Sequence, residues 1–404
     1  MLKENQNRVA HLVRKLLPPF SIFIRNQIIN HKRYDACVIY KEYIESDFAD
    51  EIINTLPAFY CENGKKGIIK NYSKFLYNKP FRRLTLGDKK NIRKFLIDQR
   101  VDILHFHYGT DAGIFIDVAK HINIPSVVSF YGYDCSSFPH WYFGYGVRYL
   151  HKVFKYTSYC LAMSEDMKLD LQKFGCPENK IIIHYYGTDV SDFYYERKYE
   201  TKDETIFLVV ASLVPQKGHI FLLQAFAKAR QLTCRNIVLR VVGTGYLESE
   251  LREFVNSNGL NKHVHFAGPL KHLSKEFINE FYNADVFIHP SVVSNTNEKE
   301  GIPGAIIEAM ATGLPVISTY HAGIPYVIHH METGLLVNEW DINTLAEYIC
   351  ILAEDSNLRR QIGQKAQQYA LEKLDLKQKE IELESIYDFV IENHSKSQRR
   401  TSTI

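Results

Sequence analysis

Two glutamates stand eight positions apart in the run Glu300–Thr319, EGIPGAIIEAMATGLPVIST. A carboxylate only accepts hydrogen bonds, and the hydroxyl groups of a sugar are donors suited to it. Between the two, Gly301 permits a tight loop. Pro303 suits the first position of a helix, where its missing N–H costs nothing. The predicted helix runs to about Thr312 and stops at Gly313. The N–H groups of Ile302, Gly304 and Ala305 then lack intrahelical partners, and with the helix dipole they make a site for a phosphate. Glu300 falls just before that site. Glu308 lies about one and a half turns inside the helix, its side chain directed back toward the N-terminus. Two carboxylates flanking an anion site do not bind the anion themselves, which leaves them to hold hydroxyls.

Other groups carry weaker signals. Gly243 and Gly245, in VVGTGYLESE, have the look of a phosphate turn but lack the third glycine of a dinucleotide fingerprint. His105 and His107 are read as alternating across a strand end, so that one of them faces the site and the other the core. Residues 62–94 carry eleven Lys or Arg against two acids, with Tyr72, Phe75, Tyr77 and Phe81 interleaved. Such a stretch is either a solvated face or a surface that rests on anionic lipid.

The elements that must position these residues alternate along the chain. In the first half, Val101–His105, Ser126–Phe130 and Tyr159–Met163 are near-continuous apolar runs that predict strands. Ala112–His121 and Trp141–Tyr156 between them have helical spacing. In the second half, Ile206–Ala211, Ile237–Val242, His263–Phe266, Val286–His289 and Pro315–Thr319 predict strands, with helices between. Asp341 is the expected N-cap of Ile342–Ala353. Buried strands separated by helices imply parallel sheets covered on both faces. The polar segment Ser191–Glu204 is read as an interdomain linker. The expected organisation is an N-terminal domain over 1–195, a second over 200–373, a helix over 374–394 that crosses back to the first, and a tail over 395–404.

Composition closes off other classes. The chain has 404 residues, 46% of them hydrophobic, and a formal charge of +3. That size fits two domains, and the near balance of charge gives no reason to expect nucleic acid. Seven scattered cysteines with no CxxC pair fit a reducing compartment without a disulfide framework or a thiolate zinc site. Ala309–Met331 lacks Asp, Glu, Lys and Arg for 23 residues. Its glycines, prolines and histidines mark strand and turn, not a membrane span. A cytoplasmic location is expected, with no signal peptide at MLKENQNRV.

The window EGIPxAxxEAMAxGLPVIST resembles that of retaining nucleotide-sugar glycosyltransferases of family 4, which have the GT-B fold. ASLVPQKGH (211–219), VVGTGYLESE (241–250), VHFAGPL (264–270), ADVFIHPS (284–291), HAGIP (321–325) and ETGLLV (332–337) extend the resemblance, and DILHFHYG (102–109) and SFYGYD (129–134) carry it into the first half. It is strongest to bacterial members that build exopolysaccharide, capsule or lipopolysaccharide. The resemblance implies two Rossmann-like doubly wound domains facing a cleft, the first for the acceptor and the second for the donor. It implies that Glu308 binds ribose hydroxyls, Glu300 the donor sugar, and Lys217 the diphosphate. The backbone N–H groups after Gly301 would hold the same phosphates, the Gly243–Gly245 turn and the His265–Gly268 segment would lie around the nucleobase, and Ser212, Gly301, Ile302, Pro303 and Gly304 would line the donor site.

Two positions depart from the family pattern. Ser212 stands where an arginine is frequent, and Tyr131 where a histidine is frequent. Tyr131 is carried over as a catalytic-side residue, with His107 and Asp134 on the acceptor side. The reaction implied is transfer with retained anomeric configuration, with no metal and no cofactor. The implied partners are a nucleotide sugar, a glycan or lipid-linked acceptor, and the inner face of the cytoplasmic membrane through residues 62–94. A catalytically silent sugar-nucleotide binder, and a phosphorylase or epimerase of the same fold, are the competing readings.

Overall fold

The computed structural model describes residues 6–16, 22–61, 84–141, 144–200, 202–295 and 297–401. The chain divides into two compact units, Met1–Tyr186 with Lys379–Ile404, and Gly187–Gln378. Most of the basic stretch, residues 62–83, lies outside the described residues. So do residues 17–21.

The first unit is built on seven parallel strands: β1 (Asn7–Leu16), β2 (Tyr34–Tyr43), β3 (Ala58–Tyr60), β4 (Ile103–His107), β5 (Ser126–Ser129), β6 (Tyr159–Ala162) and β7 (Ile181–Ile183). Their order is β3-β2-β1-β4-β5-β6-β7. The order reverses between β1 and β4, where parallel sheets of this kind open a crevice beyond their carboxyl ends. His11 of β1 lies in register with His105 of β4. The strands are apolar because both faces are covered: Val9, Leu12, Ile103, Phe106 and Val127 have no exposed surface.

The second unit repeats the plan with β8 (Glu204–Val210), β9 (Asn236–Val242), β10 (Val264–Gly268), β11 (Val286–His289), β12 (Val316–Thr319) and β13 (Leu335–Val337). The order is β10-β9-β8-β11-β12-β13, and the reversal falls between β8 and β11. Phe207, Val209, Leu239 and Ile288 pack with Phe221 and Phe226 of the helix His219–Leu232 in one core. The uncharged run Ala309–Met331 is helix end, β12 and a short helix Ile324–Val327, as its turn residues require. Among the described residues no helix is long and apolar enough to cross a membrane. All seven cysteines are unbridged.

The segment read as a linker is not free. Val190 and Phe193 are buried in a single 3-10 turn. The Arg197 guanidinium then donates to the carbonyl oxygens of Phe281 at 2.7 Å, Ala284 at 2.5 Å and Thr312 at 2.9 Å. These carbonyls end the helices Lys275–Asn283 and Gly304–Ala311, where the backbone leaves acceptors unsatisfied and a cation is favoured. Tyr195 stacks on Tyr282 with centroids 4.2 Å apart, and Tyr199 donates to Gly313 O at 2.7 Å. The segment lacks an apolar period because it binds through polar heads and aromatic rings.

Asp341 caps the helix Ile342–Glu354 by accepting from Thr344 N at 3.0 Å. The last helix runs from Leu376 to Thr401, so it continues through most of the expected tail. From Lys379 onward it belongs to the first unit, where Leu383, Tyr387 and Val390 pack with Val9, Ile103 and Val127.

Candidate active site

The loop and helix after β11 carry the two glutamates. Pro303 is the N-cap, with φ −65° and ψ 120°, and the helix spans Gly304–Ala311. It therefore starts one residue later than the sequence predicts, because Pro303 stays extended. Ile306 N donates to Pro303 O at 3.1 Å. The N–H groups of Gly304 and Ala305 open the helix and have no carbonyl of their own helix to bind. A Cβ on Gly304 would meet nothing within 4 Å, so this end of the helix faces open space. Gly301 O accepts from Gly323 N at 3.2 Å, which fastens the loop to the HAGIP turn, and Ile302 is buried beneath it.

Lys217 forms an ion pair with Glu300. The lysine closes a 3-10 turn after β8, and the glutamate follows β11, so they meet where the strand order reverses. Gly218 makes the turn possible. It sits at φ +66°, and a Cβ there would lie 2.0 Å from Pro290 O. Burial lowers the Lys217 ammonium to about 8. The second oxygen of Glu300 accepts from Ser291 Oγ at 2.7 Å and from His289 Nε2 at 3.2 Å. Burial, with the charge of Lys217, holds His289 well below the usual imidazole range, so it donates as a neutral ring. Glu300 N donates to His321 Nε2 at 3.1 Å. The His321 proton therefore lies on Nδ1 and faces Glu339 Oε1 at 2.7 Å. Glu339 Oε2 in turn accepts from Val293 N at 2.8 Å.

Glu308 is buried one turn into the helix and accepts from His272 Nε2 at 2.9 Å. Burial works to lower His272. The hydrogen bond to Glu308 and the charges of Glu308 and Asp192 outweigh it and raise the ring's affinity for a proton. The loops after β8, β9 and β10 are laced together beside this group. Leu213 N donates to Thr244 O at 3.0 Å, and Gly243 N to Gly268 O at 2.9 Å. Gly243 has φ +140°, and a Cβ on it would fall 1.9 Å from Ala211 O. Gly245 approaches Leu213 O in the same way. Ser212, exposed on this lacing, brings no charge to the place where an arginine is frequent.

In the first unit His107, Tyr131 and Asp134 come together, in roles that differ from one another. Asp134 is fully buried and accepts from Gly109 N at 2.7 Å, Tyr131 N at 3.1 Å and Gly132 N at 3.2 Å. Burial raises its carboxyl to about 6 against those backbone bonds. Its oxygens fasten the FYGYD loop to the start of the helix Gly109–Ala119. His107 Nδ1 meets Tyr131 OH at 2.7 Å. The expectation that His105 and His107 point apart is wrong. Residues two apart on a strand share a face, and the two rings stack with centroids 4.3 Å apart. Both are fully buried, beside His11 of the neighbouring strand.

Sequence reasoning assigned no role to His272, His289, Ser291, His321 or Glu339. His289, Ser291 and His321 lie inside the quoted motifs, so the signal was a polar residue at the carboxyl end of an apolar strand. The ring nitrogens of His11, His105 and His107 lie within 4.8 Å of one another, a separation that a metal ion can bridge. All six nitrogens already have hydrogen-bond partners: each other, His31, Ser129, Tyr131 and Tyr387. The arrangement as it stands is a hydrogen-bonded network.

Residues 21–192 match the family described as Glycosyltransferase Family 4, and residues 192–369 the family described as Glycosyl transferases group 1. With two parallel Rossmann-like sheets, the chain has the architecture of the GT-B glycosyltransferases, and its first and second halves each match one of these two families. It is similar to the colanic acid biosynthesis glycosyltransferase WcaL of Escherichia coli K12, at 31% identity over 265 residues, 63% of this chain and 62% of that protein. It is similar to the amylovoran biosynthesis glycosyltransferase AmsK of Erwinia amylovora, at 31% over 206 residues, 50% of this chain and 49% of that protein. The matches thus span less than two thirds of the length of these relatives. Among solved structures, Alr3699/HepE of Anabaena in complex with UDP superposes with a TM-score of 0.75 at 16% identity, covering 94% of this chain and 99% of that one. Sucrose-phosphate synthase of Thermosynechococcus elongatus superposes with a TM-score of 0.72 at 16% identity, covering 96% and 100%. These likenesses establish the fold.

Proposed function

We propose that the chain is a retaining glycosyltransferase that moves a sugar from a nucleotide-sugar donor to a glycan or lipid-linked acceptor in the assembly of a surface polysaccharide. The observation that carries this reading is the Lys217–Glu300 pair, set at the strand reversal of the second unit beside a helix N-terminus that faces open space. Glycosyl transfer builds negative charge on the departing diphosphate. A preorganised ammonium and backbone N–H groups act on that charge directly. A diphosphate competes with Glu300 for Lys217, and its arrival frees a carboxylate oxygen for a donor hydroxyl. Ser291, His289 and the His321–Glu339 pair keep Glu300 in place throughout. Glu308, with His272 on one oxygen, is the acceptor for ribose hydroxyls. In this reading Lys217 supplies the charge that a divalent ion supplies in other transferases, so chelators leave the rate unchanged.

The first unit, with Tyr131, takes the acceptor. Relatives named for colanic acid and amylovoran synthesis support a polysaccharide pathway. The basic stretch 62–94 is proposed as the contact with anionic lipid. Within its described part, Lys90 and Lys94 are exposed on the helix Leu86–Asp98, while Lys89 pairs with Asp117 at 2.8 Å.

The test is nucleotide release over a panel of nucleotide sugars with candidate acceptors, in the presence of a chelator. One donor should turn over, and Glu300→Ala should slow it by roughly 100-fold or more. An undiminished Glu300→Ala rate would remove Glu300 from the site. Binding without turnover of any donor would leave a silent binder. Anomeric analysis of the product by NMR should show retained configuration, and inversion would overturn that part of the reading.

A further inference from the structure

His272 lies in the loop between β10 and the helix Lys275–Asn283, where a solvated side chain would be ordinary. Its ring is instead clamped from three directions. The Phe277 ring stands 5.1 Å away between centroids and the Phe193 ring 5.9 Å. Phe277 belongs to the helix that follows the loop, and Phe193 to the 3-10 turn Val190–Phe193. The third contact is polar, from Nε2 to Glu308 Oε1 at 2.9 Å. The loop that carries the ring is fixed as well. Ser274 N donates to Lys271 O at 2.9 Å, and Ser274 Oγ accepts from Phe277 N at 3.2 Å, which starts the helix. Between them Leu273 holds φ +62°, a left-handed conformation that a branched side chain disfavours. Such strain persists only where the surroundings over-determine the backbone.

Glu308 needs this partner. It is 8% exposed, and a buried carboxylate without a hydrogen bond is costly. Among the described residues, His272 is the one side chain that bonds to it. A carboxylate only accepts, so the ring donates from Nε2. That bond occupies Oε1 and fixes the plane of the carboxylate, while Oε2 accepts from none of the described residues. We infer that His272 is the positioning residue of Glu308: it holds one carboxylate oxygen so that the other is presented in a single orientation to the hydroxyls of a ribose, and it thereby makes the site selective for ribonucleotides over deoxyribonucleotides. The ribose is taken from the proposed function, and the pair from the structure.

The selectivity follows from the fixing. A ribose hydroxyl donates to the presented oxygen. A deoxyribose lacks one donor, and an oxygen that cannot turn away is then left without a partner. Sites built to bond a hydroxyl discriminate in this way, through the group left unpaired. A carboxylate free to rotate toward water relieves the loss and discriminates less.

The charges around the ring act in the same sense. The helix Gly304–Ala311 brings Glu308 against it, the turn Val190–Phe193 brings Asp192, and the helix Lys275–Asn283 brings the Phe277 ring. Asp192 is itself flanked by Asp189 and Lys377. Burial works to lower the proton affinity of His272, and the bond to Glu308 with the charges of Glu308 and Asp192 outweighs it. The neutral ring holds Glu308 by ordinary donation, and the protonated ring holds it by a charge-assisted bond.

The test measures binding of UDP, GDP and ADP to the full chain, each beside its 2′-deoxy and 3′-deoxy forms. For a diphosphate that binds the wild type, at least one deoxy form should bind roughly tenfold or more weakly. In His272→Ala that ratio should fall to about threefold or less. In His272→Gln, whose amide puts a donor where Nε2 stands, the ratio should be retained. A merely structural loss weakens all forms alike and leaves the ratio unmoved. An unchanged or larger ratio in His272→Ala would overturn the inference, as would a wild type that binds all three forms equally. Histidine 15N spectra read the pair with no nucleotide present. The ring that vanishes in His272→Gln should titrate above the ordinary imidazole range and should move down in Glu308→Gln. A titration indifferent to Glu308 would overturn the pairing. The two readings fail separately. If no diphosphate binds while the His272 titration still follows Glu308, the nucleotide-sugar reading falls and the ribose selection with it. If a diphosphate binds with a ratio indifferent to His272, the nucleotide site stands and the positioning role alone falls.

Discussion

Lys217 and Glu300 are 83 residues apart in sequence and in direct contact in the fold. Burial gives the lysine a titration within reach of ordinary assays. Burial lowers its ammonium to about 8, and only the protonated form neutralises a diphosphate. In the free enzyme kcat/KM should therefore be constant up to about pH 8 and fall above it with the loss of one proton. Lys217→Arg keeps a charge that cannot be lost in this range. Its pH profile should lose the alkaline limb while its rate drops, and a limb that persists in the arginine variant would assign the proton to another group. The types and spacing of Glu300, Glu308 and Lys217 were legible because they sit among glycines and prolines that announce loops and a helix start. His289, Ser291, His321 and Glu339 were not, since a histidine ending an apolar strand looks the same whether it packs or donates. His11 and His31 carried no signal at all. They join His107 through strand register and helix docking, which local pattern does not encode.

At the scale of elements, apolar runs between helical periods placed most of the strands and both sheets, because parallel strands covered on two faces cannot hide their composition. What failed was wherever polar groups do the packing. The stretch from Val190 to Tyr199 reads as solvated chain, yet Arg197 is the C-terminal cap of two helices and Tyr195 and Tyr199 bind around it. Arg197→Leu should leave three carbonyl oxygens without their donor, at about 1 kcal/mol or more each. The second unit should lose about 3 kcal/mol, measured as a lower urea midpoint, with its far-ultraviolet spectrum unchanged. A loss under about 0.5 kcal/mol would mean that water replaces the guanidinium and that the segment is a linker after all. Since one of the capped helices opens on the N–H groups of Gly304 and Ala305, which the proposed function assigns to phosphate, the variant should also weaken nucleotide binding.

At the scale of the molecule, each unit buries a histidine that must stay neutral. His184 of the first unit is brought down to about 4 by burial, against a backbone bond to Lys379 O at 3.0 Å. His219 of the second is brought down to about 4 by burial and by the charge of Lys217, and neither ring nitrogen has a hydrogen-bond partner. Unfolded histidines take a proton near pH 6.5. Between that value and about 4 the unfolded chain binds the proton and the folded chain does not, so acid favours unfolding. The stability that neutrality confers is complete above about pH 6.5 and is lost as the pH falls toward 4, by about 3 kcal/mol for each ring. Urea midpoints followed from pH 7 to pH 5, a window largely above the titration of ordinary carboxylates, should fall steadily in the wild type. They should fall less steeply in His184→Gln and in His219→Gln, each variant flattening the transition of its own unit. A wild-type midpoint that does not move over that range would show that these rings find their protons without unfolding.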